Sequence, residues 1–509
     1  MILMVKKMTA TIKIRKVNDV YLQIEADADI RRELSDYFSF EVPGYKFTPQ
    51  YRNRVWDGKI RLYSYATGQL YVGLLEYLTD YCKKNNIEVD RPYDLHSTPG
   101  AFVNADVDSL FEQFKLSIKP RDYQQKAFKH SLNKKRCLLL SPTASGKSLI
   151  SYLLVKYFLM KTSNSKEGGD VLPKGKKVLI IVPTTSLVEQ LYKDFKEYGC
   201  DVDNIITRKY HGYEIDESKP VLISTWQSLY KLPKEFFAQF GAVIGDEAHL
   251  FKAVSLTKIM TKLVDCPWRI GMTGTLDGSK THKLVLEGLF GSVMQVAKTT
   301  KLIEKKQLAN LKVYCLILKY LDGTAKKLSG VKYHEELEYL VTDETRNKFI
   351  RNLTLDLQGN SLVLFQLVEK HGKDLFKSIE DKAEKDRKVF YIYGGVETEE
   401  REKARAIVEN ETNAIIVASY GTFSTGINIK NLHNIIFASP SKSRIRNLQS
   451  IGRGLRLGDN KVNATLYDIA DDLNYKSKEN YTLKHFQERI NIYNEEEFDY
   501  EIHNINLKD

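Results

Sequence analysis

The amino-acid sequence predicts an α/β protein: two consecutive parallel-sheet domains, preceded by a small α+β domain and followed by a short helical C-terminal extension. Three observations carry this prediction. From Lys119 to Thr300 short apolar runs alternate with helical patterns, the arrangement of a parallel sheet wrapped by helices. After a lysine-rich, less periodic stretch the same rhythm restarts near Arg346. Residues 1–115 have a different texture, with mixed strand and helix patterns and no glycine-rich turn after a strand. A length of 509 residues suits about three domains of ordinary size.

Composition excludes several classes. With 42% hydrophobic and 28% charged residues the chain is neither disordered nor collagenous, and it shows no internal repeat. The apolar start before Lys6 and Lys7 is too short for a signal sequence, and no later run reaches membrane-spanning length, so a cytoplasmic protein with no membrane partner is expected. The five cysteines are widely spaced and form no CxxC pair, which argues against disulfides and structural zinc. A net charge of +12 favours polyanionic partners without proving them.

In the N-terminal domain, Tyr45 to Tyr65 interleaves Lys46, Arg52, Arg54, Lys59 and Arg61 with Tyr45, Phe47, Tyr51, Trp56, Tyr63 and Tyr65, against one acid, Asp57. Aromatics stack on bases or wedge a junction while cations hold phosphates, which makes Arg52, Arg54 and Trp56 candidate nucleic-acid contacts. The same pattern also fits a small β-sheet with aromatics inward and charges outward.

The first large domain holds the phosphate chemistry. The run Cys137–Leu140 leads into Ser141-Pro142-Thr143-Ala144-Ser145-Gly146-Lys147-Ser148 and then a helical pattern. A strand, a tight small-residue loop and a helix starting at Gly-Lys-Ser present backbone N–H groups to phosphates. Thr143, Ala144, Ser145 and Gly146 are the expected cradle, Lys147 reaches the β- and γ-phosphates, and Ser148 places its hydroxyl on Mg2+. Ser141 replaces the usual first glycine. The run Ala242–Ile244 passes through Gly245 into Asp246-Glu247-Ala248-His249, two carboxylates at the mouth of a strand. Asp246 is expected to hold the Mg2+ shell and Glu247 to polarise the attacking water. Thr273-Gly274-Thr275 follows the next strand, where its hydroxyls can link nucleotide state to the neighbouring domain. A polar stretch from Lys161 to Lys177 reads as a surface loop.

The second large domain ends in Gln449-Ser450-Ile451-Gly452-Arg453-Gly454-Leu455-Arg456, which puts Gln449, Arg453 and Arg456 at i, i+4 and i+7, on one face of a predicted helix. Two guanidiniums aimed at a phosphate cleft stabilise charge on a transferring phosphoryl group.

Read together, Arg121-Asp122-Tyr123-Gln124, SPTASGKS, IVPTTSLVEQ, ISTWQSL, GDEAHL, MTGT, SYGTFSTGINI and QSIGRGLR form an ordered series that resembles the motifs of superfamily-2 helicases and translocases. More narrowly the chain is similar to phage recombination helicases, including the stretch DYFSFEVPGYKFTPQYRNRVWDGKIRLY. The resemblance implies two tandem RecA-like domains and ATP with Mg2+ as cofactors. It implies adenine contacts from Tyr123 and Gln124, coupling through Thr273 and Thr275, Gly426 near the nucleotide, and Arg453 and Arg456 completing the site. By the same resemblance Pro183, Thr184, Thr225, Trp226, Ser419 and Tyr420 contact nucleic acid. The implied task is work on branched DNA, forks, Holliday junctions and R-loops during recombination, repair and replication. The implied setting is the host cytoplasm, with 3′→5′ polarity and a recombination or single-strand-binding protein as partner. A duplex translocase that does not separate strands and an RNA helicase remain as alternatives. The domain boundaries expected are 1–115, 116–300 (the phosphate loop and DEAH), a connector 301–345, 346–475 (the two arginines), and a helical extension 476–509.

Overall fold

The computed structural model describes residues 10–42, 44–90, 107–163, 172–173, 175–210, 212–426, 429–458 and 461–507. The first residues of the chain and most of the polar stretch 161–177 lie outside that set. Two compact units divide the chain, one built from residues up to 140 together with 146–296, the other from 141–145 together with 297 onward. Among the described residues no helix is long and apolar enough to cross a membrane.

The first unit opens with a four-stranded sheet in the order Gln69–Tyr71, Tyr21–Glu25, Thr11–Lys16, Glu88–Asp90. Its strands alternate: Ile12, Ile14, Leu22 and Ile24 are buried while their neighbours are not, the period of two that one covered face demands. The helices Ala28–Tyr37 and Leu75–Lys84 contribute Leu34 and Leu78 to the same core. A separate ribbon pairs Ser39–Glu41 antiparallel with Lys59–Arg61. The whole small domain is seated on the helix Lys280–Phe290, whose Leu284 and Val285 belong to its core. Tyr77 donates to Glu287 Oε2 (2.7 Å), and a Cβ on Gly73 would meet the Glu287 carbonyl at 1.9 Å, so the two backbones touch. Arg136 Nη1 donates to the Asp19 carbonyl (2.7 Å) and fastens a second point.

Next comes a seven-stranded, wholly parallel sheet in the order Val293–Gln295, Arg136–Leu140, Trp268–Thr273, Phe240–Gly245, Lys177–Val182, Val221–Thr225, Ile206–Lys209. The central strands are buried along almost their whole length, because helices cover both faces and no solvent side remains to favour alternation. This order makes the phosphate-loop strand, the TGT strand and the DEAH strand neighbours: Leu140 pairs with Thr273, and Gly271 with Gly245. Their carboxyl ends lie side by side, where ligands collect in open α/β sheets.

The second unit carries a second seven-stranded parallel sheet in the order Val389–Ile392, Ile415–Ser419, Ser361–Phe365, Asn434–Phe437, Asn463–Asp472, Asn310–Lys319, Tyr500–Asn506. Two expectations need correction. Residues 301–345 are more than a connector, since Asn310–Lys319 forms a ten-residue strand whose Val313, Cys315 and Leu318 are buried. The extension 476–509 has its helix, Tyr481–Glu495, but then returns as the strand Tyr500–Asn506 at the sheet edge. Strong ion pairs tie this arrangement down. Fully buried Arg489 meets Asp468 (Nη2 to Oδ1, 2.7 Å), which also accepts the Tyr493 hydroxyl (2.7 Å), and buried Arg346 meets Asp471 (Nε to Oδ1, 2.7 Å).

Candidate ATP site and nucleic-acid surface

The phosphate loop follows Leu140 and ends where the helix Lys147–Ser163 begins. Ala144 (φ +67°) and Gly146 (φ +77°) adopt left-handed backbone, the alternation that curls successive N–H groups into an anion-binding form. Ser141, the departure from the usual glycine, is a brace: its buried hydroxyl meets Ser145 Oγ at 2.6 Å, and Ser145 Oγ donates to the Pro142 carbonyl at 2.6 Å. Gln124 ties its own helix, Asp122–Lys134, to the loop. Its Nε2 donates to the Gly146 carbonyl (3.4 Å) while its Oε1 accepts from Arg121 N (2.9 Å). A Cβ on Gly146 would stand 2.4 Å from Gln124 Nε2, so both backbone and space require glycine there. Tyr123 is buried beside it and its hydroxyl accepts from Arg121 Nη1 (3.2 Å). Ser148 Oγ pairs with the Tyr198 hydroxyl at 2.9 Å.

The carboxylate pair stands two strands away. Glu247 is left-handed (φ +47°), and its N–H donates to Asp246 Oδ1 (2.9 Å), so the turn holds one carboxylate by the backbone of the other. Burial, and then the charge of Glu247, push the Asp246 carboxyl up to about 6, while Lys147 pulls it back. Gly245, the second departure, has a steric cause. A Cβ there would meet Phe251 Cζ at 2.8 Å and Phe290 Cζ at 2.9 Å, two rings packed edge-to-face 5.1 Å apart. His249 Nδ1 lies 3.3 Å from Glu247 Oε2 and 3.0 Å from Thr273 Oγ1, and Thr273 Oγ1 donates to the Thr275 carbonyl (3.0 Å). Sequence reading gave the tetrad and the TGT turn separately, and the histidine joins them. It missed His282, whose Nε2 meets the His249 carbonyl (2.8 Å) and whose Nδ1 meets Asp277 Oδ2 (2.7 Å). No motif marks His282; only the fold brings it there.

Ser148 and Asp246 offer hard oxygen donors, a hydroxyl and a carboxylate, the set Mg2+ takes when phosphates and water complete its shell. No group of three or more His, Cys, Asp or Glu side chains among the described residues forms a competing metal site.

In the second unit Gly426 ends the helix Tyr420–Gly426. The helix Arg444–Gly454, capped by Ser443 Oγ accepting from Arg446 N (3.4 Å), carries Gln449 and Arg453, both buried, with the Arg453 guanidinium 6.0 Å from the Phe423 ring. It ends at Gly454, so the expected one-face helical triplet is corrected: Arg456 lies beyond the cap residue Leu455. Two glycines in the last turn, Gly452 and Gly454, weaken the helix where the spacing argument assumed it would continue.

Residues 117–278 match the family "Type III restriction enzyme, res subunit", residues 344–458 "Helicase conserved C-terminal domain", and residues 11–90 "DNA helicase UvsW, N-terminal". The ATP-dependent DNA helicase uvsW of Enterobacteria phage T4 is 35% identical over 509 residues, spanning 96% of this chain and 98% of that protein. The chain belongs to the UvsW helicase family. The crystal structure of T4 UvsW covers 98% of this chain and 100% of that one, with a TM-score of 0.50 and 33% identity. A DNA 3′-5′ translocase, XPB2 of Sulfurisphaera tokodaii, is 24% identical over 401 residues, covering 70% of this chain and 83% of that protein.

Within this UvsW-family chain the candidate nucleic-acid residues of the first large domain lie at neighbouring strand ends, since Thr225 pairs with Val182, just before Pro183. Thr184 caps the helix Thr185–Glu197, accepting from Leu187 N (3.4 Å), and the Pro183 carbonyl accepts from Gln227 Nε2 (3.4 Å). Thr225 is buried against Ser228 (3.1 Å), and half-buried Trp226 starts the next helical turn. Ser419 Oγ donates to Thr422 Oγ1 (2.9 Å). Tyr420 is corrected as a side-chain contact: its ring is buried and its hydroxyl donates to the Ser439 carbonyl (3.2 Å), leaving only its backbone for a ligand. On the N-terminal domain Arg52 and Arg54 are exposed, whereas Trp56 is half-buried with its indole N–H donating to the Lys59 carbonyl (2.9 Å).

Proposed function

We propose that this ATP-dependent DNA helicase works at DNA branches: it regresses forks, moves Holliday junctions and removes R-loops, travelling 3′→5′ with Mg2+ and ATP, in the service of phage recombination, repair and replication in the host cytoplasm. The single observation that most supports a working motor is the alignment of the phosphate loop, Thr273 and Asp246–Glu247 at three adjacent strand ends, with His249 bonded toward both Glu247 and Thr273.

In this reading Lys147 and the loop N–H groups hold phosphate oxygens, and Ser148 and Asp246 provide the metal's protein oxygens. Bound Mg2+ supplies charge neutralisation on the β- and γ-oxygens. Glu247 accepts a proton from the attacking water, and His249 transmits the state of Glu247 to the Thr273–Thr275 turn. Arg453 and Arg456 stabilise the charge that spreads over the transferring phosphoryl group. Thr184, Thr225, Ser419 and the backbone at Tyr420 hold the sugar–phosphate chain without reading sequence. A recombination or single-strand-binding protein is the expected partner.

Steady-state ATP turnover with no nucleic acid, single-stranded DNA, RNA, linear duplex and a four-way junction tests the substrate. Strongest stimulation by the junction is expected. Equal stimulation by linear duplex favours the translocase reading, and preference for RNA overturns the branch assignment.

A further inference from the structure

The ribbon Ser39–Glu41 with Lys59–Arg61 is the stem of a long hairpin, closed where Val42 N–H donates to the Gly58 carbonyl (2.9 Å). Beyond that bond the chain folds into a compact tip. The first helical turn, Tyr45–Phe47, runs into a second, Pro49–Arg52, capped by Thr48 Oγ1, which accepts from Tyr51 N (3.3 Å). Tyr45 and Tyr51 pack edge-to-face at 4.7 Å, and Gly58 (φ +82°) lies under Tyr45, where a Cβ would come within 2.0 Å of the ring. Val55 N and Trp56 N both donate to the Gln50 carbonyl (2.9 and 3.2 Å), and the Trp56 indole grips Lys59. This tip is built, not loose.

What the tip presents is unusual for a surface. Phe47 is 77% exposed and Val55 79% exposed, the two most exposed large apolar side chains among the described residues. The same segment carries Lys46, Arg52 and Arg54, all exposed and in no ion pair with an acid among the described residues, with Lys46 Nζ 5.7 Å from the centre of the Tyr45 ring. The one acid, Asp57, is neutralised by Arg61, which holds its carboxyl down at about 2. Exposed apolar side chains and exposed cations in one short, folded segment suit a surface that meets stacked bases and phosphates together.

The mounting supplies the second half of the argument. A part that forces bases apart must resist the load, and this domain shares a hydrophobic core and backbone contact with the helix Lys280–Phe290. That same helix carries His282, bonded to the carbonyl of DEAH-box His249. The stem that carries the tip packs through Phe40 and Ile60 on the core this helix shares, and so ties the hairpin to the element bonded to the His249 carbonyl.

We infer that the tip from Gly44 to Asp57 is the strand-separating pin of this helicase: Phe47 and Val55 enter the branch point and unstack the leading base pair while Lys46, Arg52 and Arg54 hold the flanking phosphates. The inference rests on the helicase reading above. Its test is the number of base pairs opened per ATP hydrolysed on a forked duplex, compared between the unaltered chain and the double variant Phe47→Ala/Val55→Ala. Both residues are exposed, so folding is preserved, which a melting curve checks. The ratio is expected to fall at least about fivefold, in keeping with the loss of base stacking on an aromatic side chain, and Phe47→Trp should retain it. A double variant whose ratio stays within about twofold of the unaltered chain overturns the pin while leaving the helicase reading intact. An unaltered chain that hydrolyses ATP on the fork and separates no strand overturns both.

Discussion

Gly245 and Ser141 depart from the motifs they sit in, and each departure is matched by a neighbour. The phenyl rings of Phe251 and Phe290 occupy the space a side chain at 245 would need, and the Ser145 hydroxyl pairs with that of Ser141. Such compensation is invisible to motif reading because the partners are distant in sequence or carry no motif of their own. Gly245→Val should destabilise the protein by about 1–3 kcal/mol, as overpacking of a tight site does, measured by chemical denaturation; adding Phe251→Leu should recover part of the loss. The candidate site is legible residue by residue. Lys147, Asp246 and Glu247 stand out as candidates in the sequence alone, whereas His282 and the burial of Tyr420 are visible only in the fold. For Arg456, legible as a motif residue but lying past the helix end, the expected effect of Arg456→Ala is ATP binding near normal with turnover lower on the order of a thousandfold. Nucleotide-binding titration alongside turnover checks this, and near-normal turnover removes the assignment.

At the scale of elements, the apolar runs of both large domains became strands because buried parallel strands are continuous apolar segments. Those missed were at or near the edges. Tyr500–Asn506 exposes most of its residues, so little hydrophobic pattern marks it, and Asn310–Lys319 lies in lysine-rich surroundings that read as a linker. The second unit also hides a titratable prop. His371, fully buried, meets Ser439 Oγ through Nδ1 (2.9 Å) and Asn347 Oδ1 through Nε2 (3.2 Å), which brings the segment Val368–Gly372, the helix Glu344–Asp356 and the end of a strand together. Burial, with a smaller contribution from Arg346, lowers its pKa from 6.5 to about 3. Between those values the unfolded chain binds a proton the folded one refuses. Stability is therefore complete above about pH 6.5 and declines as pH falls, by up to about 1.4 kcal/mol per pH unit from this group. Denaturation at pH 7 and pH 5 should show a loss about 2 kcal/mol larger for the unaltered chain than for His371→Gln. Equal losses would contradict the assignment.

At the scale of the whole molecule, likeness to T4 UvsW runs through 96% of the chain, N-terminal domain included. The small domain is thus part of the family's design, and its core is continuous with the helix whose His282 bonds the His249 carbonyl. The net charge of +12 agrees with a nucleic-acid machine, although charge alone could not distinguish DNA from RNA or helicase from translocase. The central claim is that ATP turnover in this chain is spent on separating DNA strands. The measurement that tests it most directly is release of a labelled strand from a forked duplex by the purified chain, with Lys147→Ala as control. The account predicts strand release that requires ATP and Mg2+ and is lost in Lys147→Ala. ATP turnover stimulated by the same fork with no strand released, or release that persists in Lys147→Ala, would contradict it.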